Sequence, residues 1–439
     1  MIPILNVADM READATAVER RGVDALVGAA GTAVALTAKS LLGSCYGQRV
    51  AVLVGPGLNG ADGRVAARWL KSRGAKVDVL SVATQPASLV GYQLVIDAAF
   101  GLGCSRPYVA PSVGNGTLVL AVDLPSGVDS DSGEILGAPL VADVTIALGA
   151  LKPAHLAGPS AALVGELRFA GLGIVDTFRD GLIEDSDLDS LIEIGQDDHK
   201  WVHAVEAFVG SPLMPGAAEL VVRGALAAGA SMIRLASRGD ISSFVRLPPE
   251  VVHGIELTAD RRCRAVVAGP GLGFDAVSWL RERLADVAVP VVLDADGLDL
   301  SLLPTTTSSN GQWILTPHEG EFARLTGRPV PINRIEAVRA LARETRCVVL
   351  LKGPTTVLAS PDGTLRVVRS GSPALASAGT GDVLAGLIAA TIARGHDPLS
   401  AGALAAHLHG LAGARMGVYA PASDLPDEVR GILAQLPVT

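Results

Sequence analysis

Ala378-Gly379-Thr380-Gly381-Asp382 sets two glycines and a carboxylate directly ahead of the apolar run Val383 to Ala393. A helix that starts there leaves its first N–H groups without partners; these and the helix dipole attract an anion, which glycine lets approach the backbone. The segment reads as a phosphate-binding hole formed by Gly379, Thr380 and Gly381, with Asp382 in its first turn, where a carboxylate also caps a helix for purely structural reasons. LKGPTTVLASPDG, Leu351 to Gly363, reads as a strand ending in Lys352 and Gly353 that turns into a second strand. Ligands of open α/β sheets bind at such strand ends, and an ammonium there suits a nucleotide phosphate. In LTPHEGEFARLTG, Leu315 to Gly327, His318 stands at a strand-to-helix crossing and can hydrogen-bond a neutral substrate, whereas His407 and His409 sit on a helix as packing or surface residues. VAGPGLG, Val267 to Gly273, adds a glycine turn, and VVLDADGLDL, Val291 to Leu300, a carboxylate-bearing strand end.

The first half carries a second set. VGPGLNGADGRVAARWL, Val54 to Leu70, contains G-x-G-x-x-G at Gly55, Gly57 and Gly60 between a strand and a helix. A dinucleotide fold would cap its second strand with an acidic residue roughly 20 residues on, but Asp78 lies inside that strand, so a classical NAD dehydrogenase is disfavoured. Asp97 in VIDAAFGLG and Asp123 in VAVDLPSGVDSDSG each close an apolar run before a glycine-containing turn. Ending a strand is the plain structural role of each; acid/base or ligand-binding work is the chemical one. Lys152, in LGALKPAHL, follows the next strand.

Such residues need rigid strand ends to hold them. Short β-branched runs at Arg49–Gly55, Lys76–Leu80, Gln93–Gly101, Thr117–Gly127 and Asp143–Gly149 alternate with helical patterns, after two opening helices expected over Val7–Ala30 and Ala33–Leu42. Runs buried on both faces belong to parallel sheets flanked by helices. The alternation restarts at Glu206–Pro212 and continues to the Gly379 helix, which predicts two α/β domains. An acidic, irregular stretch separates them, giving boundaries of 1–178, a linker over 179–200, and 201–439. Two domains suit 439 residues at about 150 residues per domain as a prior. Hydrophobic residues at 49% and charged residues at 18% describe a globular chain. Mean hydropathy is +0.40, yet the apolar stretches read as broken before the roughly 18 residues a span needs. No signal peptide is apparent, so a cytoplasmic protein without membrane association is expected. A net charge of -9 and 3% aromatics argue against nucleic-acid partners, and the scattered Cys45, Cys104, Cys263 and Cys347 lack metal or redox spacing.

GSPLMPGAAELVVRGAL, VAGPGLG, VVLDADGLDL, LTPHEGEFARL, LLKGPTTVL and SAGTGDVLAG occur in the order found in ribokinase-like NAD(P)H-hydrate dehydratases, which the chain after Asp185 resembles. The resemblance implies a doubly wound ribokinase-like fold and phosphoryl transfer used to remove water, a task of positioning and charge neutralisation. It assigns Asp382 as the base, Lys352, Gly353, Pro354, Thr355, Thr356, Gly379, Thr380 and Gly381 to the nucleotide, and Ala217, Gly271, His318 and Asp382 to the hydrate. ADP with Mg2+ is the implied donor. Glu319 stands where the family often has Pro, so the His318 turn is expected to differ slightly.

The first 175 residues or so resemble NAD(P)H-hydrate epimerases, doubly wound and Rossmann-like, through the 54–70 segment, VIDAAFGLG and VAVDLPSGVDSDSG in order. The implied roles are K+ binding by Asn59, Asp97 and Ser126, acid/base work and substrate binding by Asp123, and substrate contact by Leu58, Asn59, Gly60, Ala61, Asp62, Gly101, Leu102 and Gly103. Leu58 and Ala61 replace the usual Asn or Asp and Gly, which removes a polar contact and some backbone freedom. Small-molecule substrate, hydrated NADH or NADPH, and a homo-oligomeric state are expected. The rival is a small-alcohol kinase with a non-catalytic N-terminal binding module; LTPHEGEFARL and the attached first domain argue against it.

Overall fold

A computed structural model describes residues 1–192, 199–255, 257–273, 275–304 and 311–437. The chain forms two compact units, Ile2–Asp180 and Gly181–Thr439, the latter joined by Met1.

The N-terminal unit contains α1 (Val7–Arg21), α2 (Val23–Leu42), β1 (Arg49–Val54), α3 (Leu58–Lys71), β2 (Lys76–Ser81), β3 (Leu94–Ala98), β4 (Leu118–Val122), β5 (Val144–Leu148) and β6 (Glu166–Ala170). Its parallel sheet runs β6-β5-β4-β3-β1-β2, so strand order reverses at β1. β3 and β5 are buried along their whole length, as two-sided coverage demands. β2 corrects the expectation of a buried run: it is the sheet edge, where only Val77 is buried and Asp78 accepts from the Tyr92 hydroxyl at 2.8 Å. The helix division differs too. The break falls at Gly22, with φ 80, and not near Gly31. Gly31 lies within α2 because α3 crosses there: a Cβ would fall 2.4 Å from Val65 Cβ and 2.7 Å from the Asp62 carbonyl oxygen. By length and composition α2 is apolar enough to cross a membrane, which corrects the expectation that every apolar stretch is too short. Gly, Ala and Thr do not interrupt its hydropathy, and Ala30, Val34, Ala35 and Ala38 pack into the hydrophobic core.

The C-terminal unit contains β7 (Gly181–Leu182), β8 (Ala204–Phe208), α4 (Pro215–Ala227), β9 (Met232–Ala236), β10 (Val251–His253), β11 (Ala265–Ala268), α5 (Ala276–Leu284), β12 (Val291–Leu293), β13 (Trp313–Leu315), α6 (Glu319–Thr326), α7 (Arg334–Thr345), β14 (Val348–Leu351), β15 (Thr356–Ala359), β16 (Leu365–Val368), α8 (Thr380–Ala393), α9 (Pro398–Arg415) and α10 (Leu425–Leu433). Its strands run β7-β16-β15-β14-β13-β12-β11-β8-β9-β10, parallel from β14 to β10, with β15 antiparallel to both neighbours. Order reverses between β8 and β11. α8 is apolar on every side because α4 covers it closely: a Cβ on Gly386 would stand 2.1 Å from the Val221 carbonyl oxygen, and one on Gly224 2.4 Å from that of Val383. Of the acidic segment expected as a linker over 179–200, Arg179 and Asp180 belong to the first unit, and the described residues from Gly181 on are built into this one. β7 pairs with β16, and Ile183, Leu188 and Leu191 enter the core, so the acidic residues form only its solvated face. Residues 193–198 of that expected linker lie outside the described residues.

Candidate active sites

At the reversal of the first sheet, the ends of β1, β3 and β4 frame a cavity of about 540 Å³. Two glycines of the G-x-G-x-x-G segment let chain meet chain: a Cβ on Gly55 would fall 1.8 Å from the Ala99 carbonyl oxygen, and one on Gly60 2.1 Å from that of Gly55. Leu58, Asn59, Asp62, Gly101, Leu102, Gly103 and Asp123 line the cavity; Gly60 and Ala61 do not.

Asp123 ends β4 at φ 66, a conformation that a non-glycine residue keeps only when its surroundings impose it. His155 accepts the Lys152 N–H on Nδ1 at 2.9 Å, so Nε2 carries the proton and donates to the Asp123 carbonyl. Lys152 is 1% exposed. Its ammonium donates to Asp123 Oδ1 at 2.5 Å and to the Leu148 and Ala150 carbonyls at 2.9 and 3.0 Å, which uses all three protons. Asp123 Oδ2 takes no hydrogen bond from the described residues. Asp62 is held differently: burial, then the charges of Asp123 and Asp14, push its carboxyl up to about 8. Burial also raises Asp14, against the attraction of Lys152. Two neighbouring carboxyls are thus set apart, one salt-bridged and one neutral at pH 7, the arrangement that acid/base chemistry uses.

Asp97 ends β3 with no exposure. It accepts from Ser126 Oγ at 2.6 Å and Ser126 N–H at 2.9 Å, and burial still pushes its carboxyl up. Asn59 donates to the Val122 carbonyl at 3.1 Å, beside this pair's strand ends.

In the C-terminal unit the turn after β11 reaches the start of α4: a Cβ on Gly271, φ 68, would lie 2.6 Å from Ala217 Cβ. Lys352 follows β14 and donates to Asp294 Oδ1 at 2.7 Å, with Glu321 Oε2 at 3.7 Å. Asp294, 2% exposed, ends β12, and the residue after it, Ala295, sits at φ 51. A side chain on Gly381 would begin 3.5 Å from Lys352 Nζ and 3.7 Å from Asp294 Oδ2, so cation, carboxylate and α8 start converge. Burial, then Asp294, push Asp382 up to about 7, with Lys352 opposing and Asp296 and Glu321 adding. Gly379 enters the helix at φ 91, where a Cβ would meet Leu220 Cδ1 at 2.4 Å. Thr380 spends its hydroxyl on the Leu375 and Ser377 carbonyls at 2.8 and 3.0 Å, which ties the turn down and leaves the backbone N–H groups for an anion.

His318 caps α6: Nδ1 accepts from Gly320 and Glu321 N–H groups at 3.0 and 3.2 Å, and Glu321 accepts the His318 N–H at 2.8 Å. Nε2 therefore bears the proton, on a side chain 61% exposed. Glu319 pairs with Arg334, whose Nη2 would lie 2.8 Å from a Cβ on Gly353. Gly353, Thr355 and Thr356 are half-buried and Pro354 exposed on the hairpin after Lys352. His409 is buried and donates from Nε2 to the Thr380 carbonyl at 2.9 Å; burial pushes it down to about 4, so it stays neutral. His407, also buried, meets Asp185 at 2.9 Å. Sequence reasoning passed over Asp14, His155 and Glu321, and saw Asp294 only as a strand end. For Asp14, early in a helix, the sequence offers no signal.

Two open α/β layers, one with a lysine-flanked glycine turn ahead of a half-buried carboxylate and the other with a strained, salt-bridged carboxylate, define a two-domain enzyme acting on small molecules. Residues 206–434 match the NAD(P)H-hydrate dehydratase family, and residues 23–89 and 82–154 match the YjeF-related protein N-terminus. The bifunctional NAD(P)H-hydrate repair enzyme Nnr of Thermofilum pendens is 34% identical over 93% of this chain and 91% of its own length. That of Mycobacterium tuberculosis H37Rv is 35% identical over 82% and 81%. The ADP/ATP-dependent NAD(P)H-hydrate dehydratase of Bacillus subtilis, co-crystallised with ATP and Mg2+, matches 60% of this chain and 100% of its own at 29% identity and a TM-score of 0.53. The chain belongs to the family of bifunctional NAD(P)H-hydrate repair enzymes.

Proposed function

We propose that the C-terminal unit dehydrates the S hydrate of NADH or NADPH at the expense of ADP, and that the N-terminal unit interconverts the R and S hydrates. The observation that carries the reading is the Lys352–Asp294 pair set against Gly381, beside an Asp382 whose carboxyl is held at about 7. Asp382 takes the proton of the ring hydroxyl, and the oxygen attacks the terminal phosphate lodged at Gly379, Thr380 and Gly381. AMP leaves, phosphate then departs from the ring carbon with the bonding electrons while the neighbouring ring carbon gives up a proton, and the C=C bond of the dihydronicotinamide is restored. Lys352 neutralises the phosphate charge, Gly353, Pro354, Thr355 and Thr356 hold the nucleotide, and Ala217, Gly271 and His318 hold the hydrate.

Mg2+ travels with the nucleotide and supplies charge neutralisation. Among the described residues no three His, Cys, Asp or Glu side chains group as a metal site of the protein's own. K+ fits Asn59, Asp97 and Ser126: these are hard oxygen donors, and Asp97 is fully buried with no cation paired to it among the described residues. In the N-terminal unit Asp123 serves as base, Asp62 as the neutral partner, and Leu58 and Asn59 as cavity wall. A cytoplasmic homo-oligomer handling only small molecules completes the proposal.

The test supplies full-length protein with mixed R and S hydrates of NADPH, Mg2+ and K+, then ADP or ATP. Return of NADPH absorbance to completion, faster with ADP, supports both activities. Arrest once the S hydrate is spent removes the epimerase reading, and equal or faster rates with ATP remove the preference for ADP.

A further inference from the structure

Three carboxylates, Asp14, Asp62 and Asp123, line the cavity of the N-terminal unit. Lys152 is fully committed to Asp123 and two carbonyls and has no proton left for a ligand. A hydrated dinucleotide carries a pyrophosphate, and with Lys152 already paired to Asp123 that charge needs a second cation at the cavity wall.

Arg11, on α1, occupies that place. It lines the cavity, it is exposed, and it makes no hydrogen bond or ion pair with any described residue. Its Nη2 lies only 2.8 Å from where a side chain on Gly103 would begin, and Gly103 takes φ 87. The N–H groups of Gly101, Leu102 and Gly103 donate to none of the described residues, although Cys104 N–H closes the turn onto the Gly101 carbonyl at 3.2 Å. A turn with free N–H groups is an anion-binding concavity, and an unpaired guanidinium beside it adds a planar fork matched to phosphate oxygens. The missing side chain at Gly103 keeps the space between them open.

We infer that Arg11 is a further binding residue for the substrate: it adds a cation to the Gly101–Gly103 turn, which the family resemblance already gives to the substrate's phosphate, and by holding the pyrophosphate of the hydrated dinucleotide there it sets the affinity of the epimerising unit. This rests on the proposed epimerase reading for its substrate. Arg11 is a binding residue with no part in proton transfer, so its loss acts on KM and leaves kcat nearly intact.

The experiment follows R-to-S conversion by chromatography with full-length protein in the absence of nucleotide, where dehydration is silent. Arg11→Gln is expected to raise KM about 10- to 100-fold with kcat within about twofold, and Arg11→Lys to recover part of the loss as a point charge without the fork. Inorganic pyrophosphate should compete with the hydrate in the wild type and much less in Arg11→Gln. An unchanged KM, or a loss confined to kcat, overturns the subsite. If the wild type does not epimerise, the epimerase reading has failed. Pyrophosphate titration of both proteins with saturating ADP then decides the subsite alone: equal affinity overturns it, and weaker binding by Arg11→Gln upholds it.

Discussion

Replacing Asp382 with Asn removes the proton acceptor while keeping the size and hydrogen-bonding reach of the side chain at the start of α8. Turnover in dehydration should fall about 10²- to 10⁴-fold, as for other lost general bases. Stability should move the opposite way. Burial and Asp294 lift the carboxyl from its ordinary 3.8 to about 7, so between those values the folded chain holds a proton that the unfolded chain has released. Stability of the wild type therefore declines as pH rises through this window and stays lower above it. At 1.36 kcal/mol per pH unit the gap amounts to about 4 kcal/mol as a ceiling, reduced by solvent at the partly open side of the residue. Asn carries no such cost. Asp382→Asn should match the wild type near pH 4 and melt higher at pH 8, by about 2–4 °C for each kcal/mol realised. Wild-type turnover should also fall with pH through about 7 as Asp382 protonates. Thermal melts at both pH values, with turnover measured on the same preparations, check the argument. Near wild-type turnover would reduce Asp382 to a helix cap, and a mutant equally destabilised at both pH values would refute the raised carboxyl.

Lys152→Met strips Asp123 of its buried counter-charge beside Asp62 and Asp14; a loss of about 3–5 kcal/mol is expected in denaturant titration, with epimerisation abolished and dehydration of S hydrate retained. Intact epimerisation would remove Lys152 from the positioning of Asp123. Leu58, 57% exposed on the cavity wall, should yield several-fold faster epimerisation when changed to Asn, with Tm unaltered; no gain would show that its missing polar contact is harmless. Gly386→Ala should cost at least about 1–3 kcal/mol, because its Cβ meets backbone across the α4–α8 contact, whereas Gly216→Ala meets nothing within 4 Å and serves as the control. Equal melting temperatures for the two variants would mean the helices can separate without penalty.

Much of this was legible along the chain. Apolar runs such as Leu94–Ala98 and Val144–Leu148 read as strands covered on both sides, and Gly379 to Asp382 ahead of an apolar run reads as a helix start, which α8 bears out. Local chemistry sufficed there because the determinants are adjacent in sequence. It misled where packing overrides propensity. Gly31 looks like a helix break but is the contact that admits α3, and the acidic residues after Gly181 hide Ile183, Leu188 and Leu191, which are drawn into the core. The sites' electrostatics belong to the tertiary structure alone. Asp123 and Lys152 are 29 residues apart and Asp294 and Lys352 are 58 apart, and only the strand order brings each pair together. The sequence determined which carboxylates stand at strand ends and helix starts. The fold decided that Asp62 and Asp382 are pushed toward the neutral form, because desolvation and the field of neighbours depend on distances in space that residue spacing does not encode.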